Sequence, residues 1–176
     1  MTPSVTRSAR GREVVAAGRR LLEEEGVEAL TMRRLADRVG IRAPSLYKHL
    51  PDKAALEAAI IATGLEDAAA AFEAAVEGAG GGGLAALAAA YRRFALEHPH
   101  LYRLMNNGPL PREHLPPGLE ERTAAPVLRV AGSQARARAV WAFAHGMVML
   151  ELDHRFPPDA DLDAAWQAGI AAFQQS

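Results

Sequence analysis

Residues 30–56 read LTMRRLADRVGIRAPSLYKHLPDKAAL, and this stretch decides the fold. Its spacing predicts a helix from Met32 to Val39 that begins at Thr31, whose hydroxyl can accept an early backbone N–H. Gly40 can adopt the positive φ that commonly ends a helix. A second helix is predicted from Ala43 to Leu50. Two short helices around a glycine turn are typical of a helix-turn-helix.

The apolar residues of both predicted helices recur at helical spacing and should face inward. They are Leu35, Ala36 and Val39 in the first helix, and Leu46 and Leu50 in the second. The opposite side of the second helix is slim and polar enough to enter a DNA major groove. The side chains left for a partner there are Arg42, Ser45, Tyr47, Lys48 and His49.

Residues 31–53, TMRRLADRVGIRAPSLYKHLPDK, resemble the DNA-binding signature of the tetracycline repressor (TetR) family of transcriptional regulators. The resemblance includes the leucine–tyrosine pair and the lysine after the turn. Two positions depart from the family pattern. Arg42 stands where many members carry a capping serine, which weakens the cap or makes this arginine a contact. Leu50 replaces the more usual phenylalanine, a change expected in the core and not at the DNA.

The resemblance implies two kinds of DNA contact. Arg33, Arg42 and Ser45 are predicted to read base edges, and a bidentate fork from Arg33 to guanine is one such contact. Ala43 and Pro44 are placed to meet a thymine methyl group. Phosphate contacts position a protein without reading sequence. They are predicted for Thr31, Tyr47, Lys48, His49 and Lys53.

The rest of the chain has helical patterns only, so the fold is predicted to be all-α with about nine helices. A three-helix head, residues 1–53, would be the helix-turn-helix DNA-binding domain. Residues 54–176 would form a helical effector-binding and dimerisation domain. The glycine run Gly78–Gly83 is predicted to be a loop and not a phosphate cradle, because no strand precedes it and no Gly-Lys-Ser/Thr follows.

Composition and charge restrict the class of protein. Hydrophobic residues make up 49% of the chain and allow a real core, while the absence of cysteine excludes disulfides and thiolate metal sites. The first 53 residues hold eleven lysines and arginines against seven acids, whereas the remainder holds nine against fourteen. A basic head on an acidic body suits a protein that offers one end to phosphates.

The sequence also predicts the compartment. The N-terminal stretch is polar and basic without an apolar segment, which argues against a secretory signal. The longest apolar stretch, near residues 140–150, is far too short to span a membrane. A cytoplasmic protein without a membrane partner is therefore expected.

A second resemblance lies in residues 140–153, VWAFAHGMVMLELD. Trp141, His145, Gly146 and Glu151 are similar to the Trp-His-Gly motif of one C-terminal domain subgroup among TetR regulators. This helix is apolar nearly all round, so it should be buried on two sides. A partner subunit is expected to cover one of them, and with the last helix it would form a four-helix bundle across a two-fold axis. The predicted dimer interface comprises Phe143, Met147, Leu150, Leu162, Trp166, Ile170 and Phe173.

The other apolar stripe is predicted to face an internal cavity for a small effector, although ordinary core packing is the better explanation for each residue taken singly. Effector sites are mostly apolar with a few polar groups. Tyr91, Tyr102 and His145 would supply the polar groups. The predicted ligand-binding residues are Tyr91, Phe94, Leu101, Tyr102, Met105, Leu128, Trp141, His145 and Met149.

Two other classes of function were weighed. An enzyme would need converging acids, bases or metal ligands, and the sequence has no nucleophile elbow, P-loop or dinucleotide motif. Glu151 and His154 lie at i, i+3 and could share a metal, but a surface ion pair explains them better. No metal, cofactor or catalytic residue is expected. The alternative is a helical protein-interaction module that has lost specific DNA binding, against which the basic residues Arg42, Lys48 and Lys53 argue.

The sequence therefore predicts a ligand-responsive DNA-binding transcriptional regulator. It would be a homodimeric repressor that a small apolar or amphipathic effector releases from a palindromic operator on double-stranded DNA. The release mechanism is what the resemblance implies.

Overall fold

The computed structural model describes residues 8–80 and 83–174. Within these two ranges all regular structure is helical, and nine α-helices are present, so the predicted all-α class is confirmed. The helices are α1 (Ala9–Glu25), α2 (Met32–Val39), α3 (Ala43–Leu46), α4 (Lys53–Glu77), α5 (Gly83–Glu97), α6 (Pro99–Asn106), α7 (Leu119–Ala131), α8 (Gln134–Leu152) and α9 (Leu162–Gln174). Single 3₁₀ turns lie at Val27–Ala29 and Arg112–His114. Residues 81 and 82 of the predicted glycine loop lie outside the described residues.

The chain forms two compact units. Unit 1 comprises residues 1–66 and 98–119, and unit 2 comprises residues 67–97 and 120–176. The long helix α4 contributes its first part to unit 1 and its last part to unit 2. The division at residue 53 into a DNA-binding domain and an effector-binding domain is a functional one, which these units do not test, and it stays a prediction.

Unit 1 has α1 at its centre. The helix begins at Ser8, whose hydroxyl accepts the Gly11 N–H at 2.9 Å, and it ends at Gly26, which has a φ of 81°. Its buried side carries Val14, Leu21 and Leu22. These leucines and valines recur at the spacing of one helical face, so burying them fixes α1 against its neighbours.

Glycines allow two close helix contacts in unit 1. A Cβ at Gly18 would lie 3.0 Å from a methyl group of Leu56, so α4 approaches α1 closely there. At Gly64 of α4, a Cβ would lie 2.6 Å from the sulfur of Met105 and 3.1 Å from Leu101. Helix α6 therefore packs against α4 where no side chain keeps them apart.

Unit 2 is held by aromatic packing. Phe72 stacks on Tyr91 with ring centroids 5.7 Å apart and meets Phe94 edge-on at 6.4 Å. Helices α8 and α9 pack through Phe143, whose ring lies 5.6 Å from that of Trp166 and 5.9 Å from that of Phe173. Edge-on and offset aromatic contacts of this kind add to the stabilisation from burial.

Candidate nucleic-acid interface

Helix α2 begins and ends where the sequence predicted. The Thr31 hydroxyl accepts the Arg34 N–H at 3.3 Å, and Gly40 has a left-handed φ of 69°. The Gly40 N–H donates to Asp37 O at 3.2 Å and the Ile41 N–H to Ala36 O at 3.0 Å. This pair of bonds is a Schellman motif, which satisfies the last carbonyl groups of the helix and turns the chain sharply.

The second helix is shorter than predicted. We expected it to continue to Leu50, but α3 ends at Leu46 and residues 47–49 form turns. The His49 N–H donates to Leu46 O at 2.9 Å in the tighter i to i−3 pattern. Pro51 disfavours the helical conformation only of Leu50, the residue before it, so it does not account for an end four residues earlier. Leu46 and Leu50 are both fully buried, so the predicted inner face is confirmed.

The predicted DNA-contacting residues lie at the surface of unit 1. Tyr47 is the clearest case, since half of this large aromatic residue is exposed. His49 is half-buried, and the side chain of Ala43 lies outside what the structure describes. The exposed residues are Thr31, Arg33, Arg42, Pro44, Ser45, Tyr47, Lys48 and Lys53.

The cations of this surface differ in their partners. Arg34 and Arg38 of α2 form ion pairs with Glu25 and Glu24 at the end of α1. We call these four residues the α1–α2 charge network. The network was not predicted from the sequence, because residues 9 and 14 positions apart meet only when the two helices pack. The sequence signal that points to it is the run of acidic residues that ends α1.

Other cations of the surface remain available. Arg33, Arg42 and Lys48 form no ion pair with any residue in the two described ranges. Lys53 lies 3.4 Å from the Glu57 carboxylate, one helical turn further along α4. The structure therefore separates the basic residues of the head into paired and available ones.

The nine predicted ligand-binding residues are divided between the units. Leu101, Tyr102 and Met105 belong to unit 1, and the first two are buried there. In unit 2, Phe94 is buried, and Tyr91, His145 and Met149 are half-buried.

Two of these residues lie on the surface of the single chain, and the ligand-binding role of all nine stays a prediction. Leu128 is exposed, and 52% of Trp141 is exposed. The buried stripe of α8 is Val140, Ala144 and Val148. Trp141 follows the first of these by one position, and one position turns a side chain by about 100° around a helix.

The residues of the predicted dimer interface differ in their exposure, and their role at an interface stays a prediction. Trp166 and Ile170 are in the interior of unit 2, with exposed fractions of 6% and 5%. They are buried because α8 and α9 pack against each other within one chain. Leu150 is exposed, as a residue for a partner would be. The remaining four are half-buried: Phe143, Met147, Leu162 and Phe173.

A surface ion pair between Glu151 and His154 was expected, but Glu151 binds other residues. Its carboxylate accepts the Arg92 Nε–H at 3.0 Å and the Trp166 indole N–H at 2.5 Å, and only 6% of the side chain is exposed. Burial lowers the pKa of Arg92, but hydrogen bonds to Asp163 and Glu151 outweigh it and the pKa is raised. This group joins α5, α8 and α9.

A surface groove in unit 2 was not predicted. It is shallow and open, with a volume of about 410 Å³. The residues that line it are Ala89, Arg92, Arg93, Leu96 and Glu97. None of the nine predicted ligand-binding residues lines this groove.

Neither a metal centre nor a membrane span was found in the described part of the chain. Among its His, Asp and Glu side chains, no group of three is placed to hold a metal ion. No helix within it has the length and apolar character needed to cross a bilayer.

Two short helices around a left-handed glycine, with exposed basic and polar side chains after the turn, define a helix-turn-helix protein. Comparison with known families agrees. Residues 14–60 match the model described as bacterial regulatory proteins, tetR family, and residues 84–173 match the tetracyclin repressor-like C-terminal domain. The chain belongs to the TetR family of transcriptional regulators. The Trp-His-Gly subgroup stays a prediction.

Individual relatives agree with this assignment. The HTH-type transcriptional regulator Rv0681 of Mycobacterium tuberculosis is 31% identical over 175 residues, which cover 93% of this chain and 80% of that protein. The class G tetracycline repressor of Vibrio anguillarum is 49% identical over 43 residues, 24% of this chain and 20% of the repressor.

Solved structures share the fold. A protein of unknown function from Rhodococcus sp. RHA1 is 28% identical with a TM-score of 0.74, over 97% of this chain and 95% of that one. A TetR variant from Acinetobacter baumannii AYE, crystallised with minocycline, has a TM-score of 0.64 at 24% identity and covers 91% of both chains.

Proposed function

We propose that this regulator is a ligand-responsive repressor that binds a palindromic operator as a homodimer. The observation that carries the proposal is the surface after the Gly40 turn. Arg42, Ser45 and Lys48 are exposed there, while Leu46 and Leu50 beneath them are fully buried. Cationic and polar side chains on a rigid base are what DNA recognition needs, because base contacts require fixed geometry.

The contacts divide by chemistry. Arg33, Arg42 and Ser45 are proposed to read base edges, with Ala43 and Pro44 against a thymine methyl group. Phosphate contacts would fix the register of the protein on the duplex. We assign them to Thr31, Tyr47, Lys48, His49 and Lys53.

A second copy of the chain is proposed to complete the regulator. Two recognition helices enter successive major grooves of a palindromic site when their centres are about 34–36 Å apart. Leu150 of α8 supports dimerisation, because it is a large apolar residue that is exposed in the single chain. Covering it would remove apolar surface from water.

An effector is proposed to control DNA binding. It must bind the DNA-competent and DNA-incompetent shapes with different affinity, since equal affinity shifts no population. The minocycline complex of the Acinetobacter relative supports a small amphipathic molecule in this role. We also place the protein in the cytoplasm, where a bacterial regulator meets its operator.

Selection of duplexes from a random pool tests the DNA function. Bound sequences should converge on a palindrome, and a fluorescence anisotropy titration should show binding that weakens steeply with salt. A chain that binds no duplex at low salt would instead favour the interaction module.

Two further measurements test the dimer and the effector. Sedimentation should show a dimer, and Leu150→Glu should shift it toward monomer, whereas Ala124→Glu, at an exposed position of α7 outside the proposed α8–α9 bundle, serves as a control for added charge. A thermal-shift screen of amphipathic compounds should yield a ligand that stabilises the protein and raises the Kd for the selected palindrome. A ligand that stabilises the protein without changing this Kd would contradict effector control.

A further inference from the structure

Two arginines of α2 are directed toward α1. Arg34 Nη2 contacts Glu25 Oε2, and Arg38 Nη2 contacts Glu24 Oε2. Arg38 Nη1 also lies 3.6 Å from Glu25 Oε1. The α1–α2 charge network thus joins two cations and two carboxylates. A network of this kind is stronger than an isolated surface pair, because Glu25 and Arg38 are each held by two partners.

The arrangement is not what each helix would favour alone. Glu24 and Glu25 end α1, where the negative end of the helix dipole opposes a carboxylate. Arg34 and Arg38 lie one turn apart on α2 and therefore face the same way. Each helix offers like charges that repel, and packing the two helices together neutralises both sets.

The network removes cations from the surface that DNA would meet. Arg33 is the immediate neighbour of Arg34, yet it is exposed and forms no ion pair within residues 8–80 and 83–174. An available arginine binds any phosphate, whatever the base sequence, because phosphate contacts carry no sequence information. A paired arginine must first leave its carboxylate.

We propose that Glu24 and Glu25 are positioning residues that hold Arg34 and Arg38 away from DNA phosphates and so limit sequence-independent binding. The inference rests on the proposed DNA-binding function. It identifies a determinant of specificity that makes no DNA contact itself. Discrimination between operator and other DNA depends on the ratio of the two affinities, so lowering the sequence-independent one increases the ratio.

The test measures binding to a scrambled duplex by fluorescence anisotropy over a range of salt concentrations. Glu25→Gln removes a carboxylate that contacts both arginines. Glu28→Gln is the matched control, because Glu28 is exposed nearby, has no ion pair among the described residues, and its loss changes the net charge equally. We expect Glu25→Gln to steepen the slope of log K against log salt by up to about 0.9 for each arginine released. Glu28→Gln should leave the slope unchanged.

Two combined variants sharpen the result. Glu24→Gln with Glu25→Gln should bind scrambled DNA more tightly than either single variant. Adding Arg34→Gln and Arg38→Gln should restore the wild-type slope, since the network then carries no charge. If the double carboxylate variant fails to fold by circular dichroism, the comparison of Glu25→Gln with Glu28→Gln decides the matter.

Four outcomes would overturn the inference. Slopes that steepen equally in Glu25→Gln and Glu28→Gln would show a general charge effect. A fourfold variant with a flatter slope than wild type would show that Arg34 and Arg38 already contact phosphates. Wild-type protein that binds no duplex at low salt would overturn the proposed function as well, whereas wild-type binding with unchanged variant slopes would overturn this inference alone.

Discussion

The ring of Phe143 on α8 occupies the space where a side chain at Gly169 on α9 would begin. A Cβ built at Gly169 would lie 2.1 Å from Cζ of Phe143. The ring cannot move away freely, because Trp166 and Phe173 also pack against it. Gly169 therefore sets how closely α8 and α9 approach within one chain.

Gly169→Ala should lower the free energy of unfolding by about 1–2 kcal/mol. Overpacking costs about 1–3 kcal/mol, and the better helix propensity of alanine returns up to about 1 kcal/mol. Urea unfolding at fixed protein concentration measures the change. In a double-mutant cycle with Phe143→Leu, the cost of Gly169→Ala should fall. Equal costs with and without the ring would contradict the packing explanation.

Glu151→Gln should destabilise unit 2 by about 1–3 kcal/mol, because it removes the charged acceptor shared by Arg92 and Trp166. Asp163→Asn removes the other carboxylate of Arg92, but 77% of the Asp163 side chain is exposed. Its loss should cost no more than about 1 kcal/mol. Chemical denaturation of both variants tests the ranking, and a larger loss for Asp163→Asn would contradict it.

His145 should lose its proton more readily than an ordinary histidine. Burial lowers its pKa below 6.5, because desolvation disfavours the imidazolium. The pKa of His145 in the folded state lies below its pKa in the unfolded state. The protein therefore has its full stability above about pH 6.5, and the free energy of unfolding falls as the pH falls toward the folded-state pKa. An NMR titration of the ring measures the pKa. His145→Gln should flatten the stability profile there, and a pKa of 6.5 or higher would refute the burial effect.

Arg42→Ala should weaken operator binding by about 1–3 kcal/mol and relax the preference at one position in each half-site. The reason is that Arg42 is exposed, forms no ion pair among the residues described and stands at the start of the recognition helix. Titration against the selected palindrome and a scrambled duplex measures both affinities. An unchanged ratio of the two affinities would show that Arg42 does not read bases.

Lys48→Ala should weaken binding to all duplexes alike and reduce the salt slope by about 0.9, the loss expected for one phosphate contact. Lys53→Ala should have a smaller effect, because Lys53 already lies 3.4 Å from Glu57. The salt dependence of binding to one duplex compares the two variants. A larger change for Lys53→Ala would show that the Glu57 pair opens on DNA.

Local signals in the sequence were sufficient for the helices and the turn. Thr31 and Gly40 act on backbone groups within four residues of themselves, and each is found in its predicted role. The predicted end of the second helix was wrong because the apolar spacing of Leu46 and Leu50 does not distinguish a helix from turns that bury the same two residues.

The placement of individual side chains depended on packing. Trp166 and Glu151 were predicted to face other partners, yet they bind each other across 15 positions of the chain. Periodicity shows which faces of a helix are apolar, but not which neighbour covers each face. On α8, which is apolar nearly all round, periodicity could not select Val140 over Trp141 as the buried position.

The sequence by itself determined the all-α class, the helix-turn-helix and its exposed basic residues, because caps, turns and helical spacing are local properties of the chain. Only the tertiary structure decided which of those basic residues are available. Arg33 and Arg34 are chemically identical neighbours, and the packing of α1 on α2 gives a carboxylate to Arg34 but leaves Arg33 without an ion pair among the described residues. Charge pairing between helices depends on distances that the order of residues does not contain.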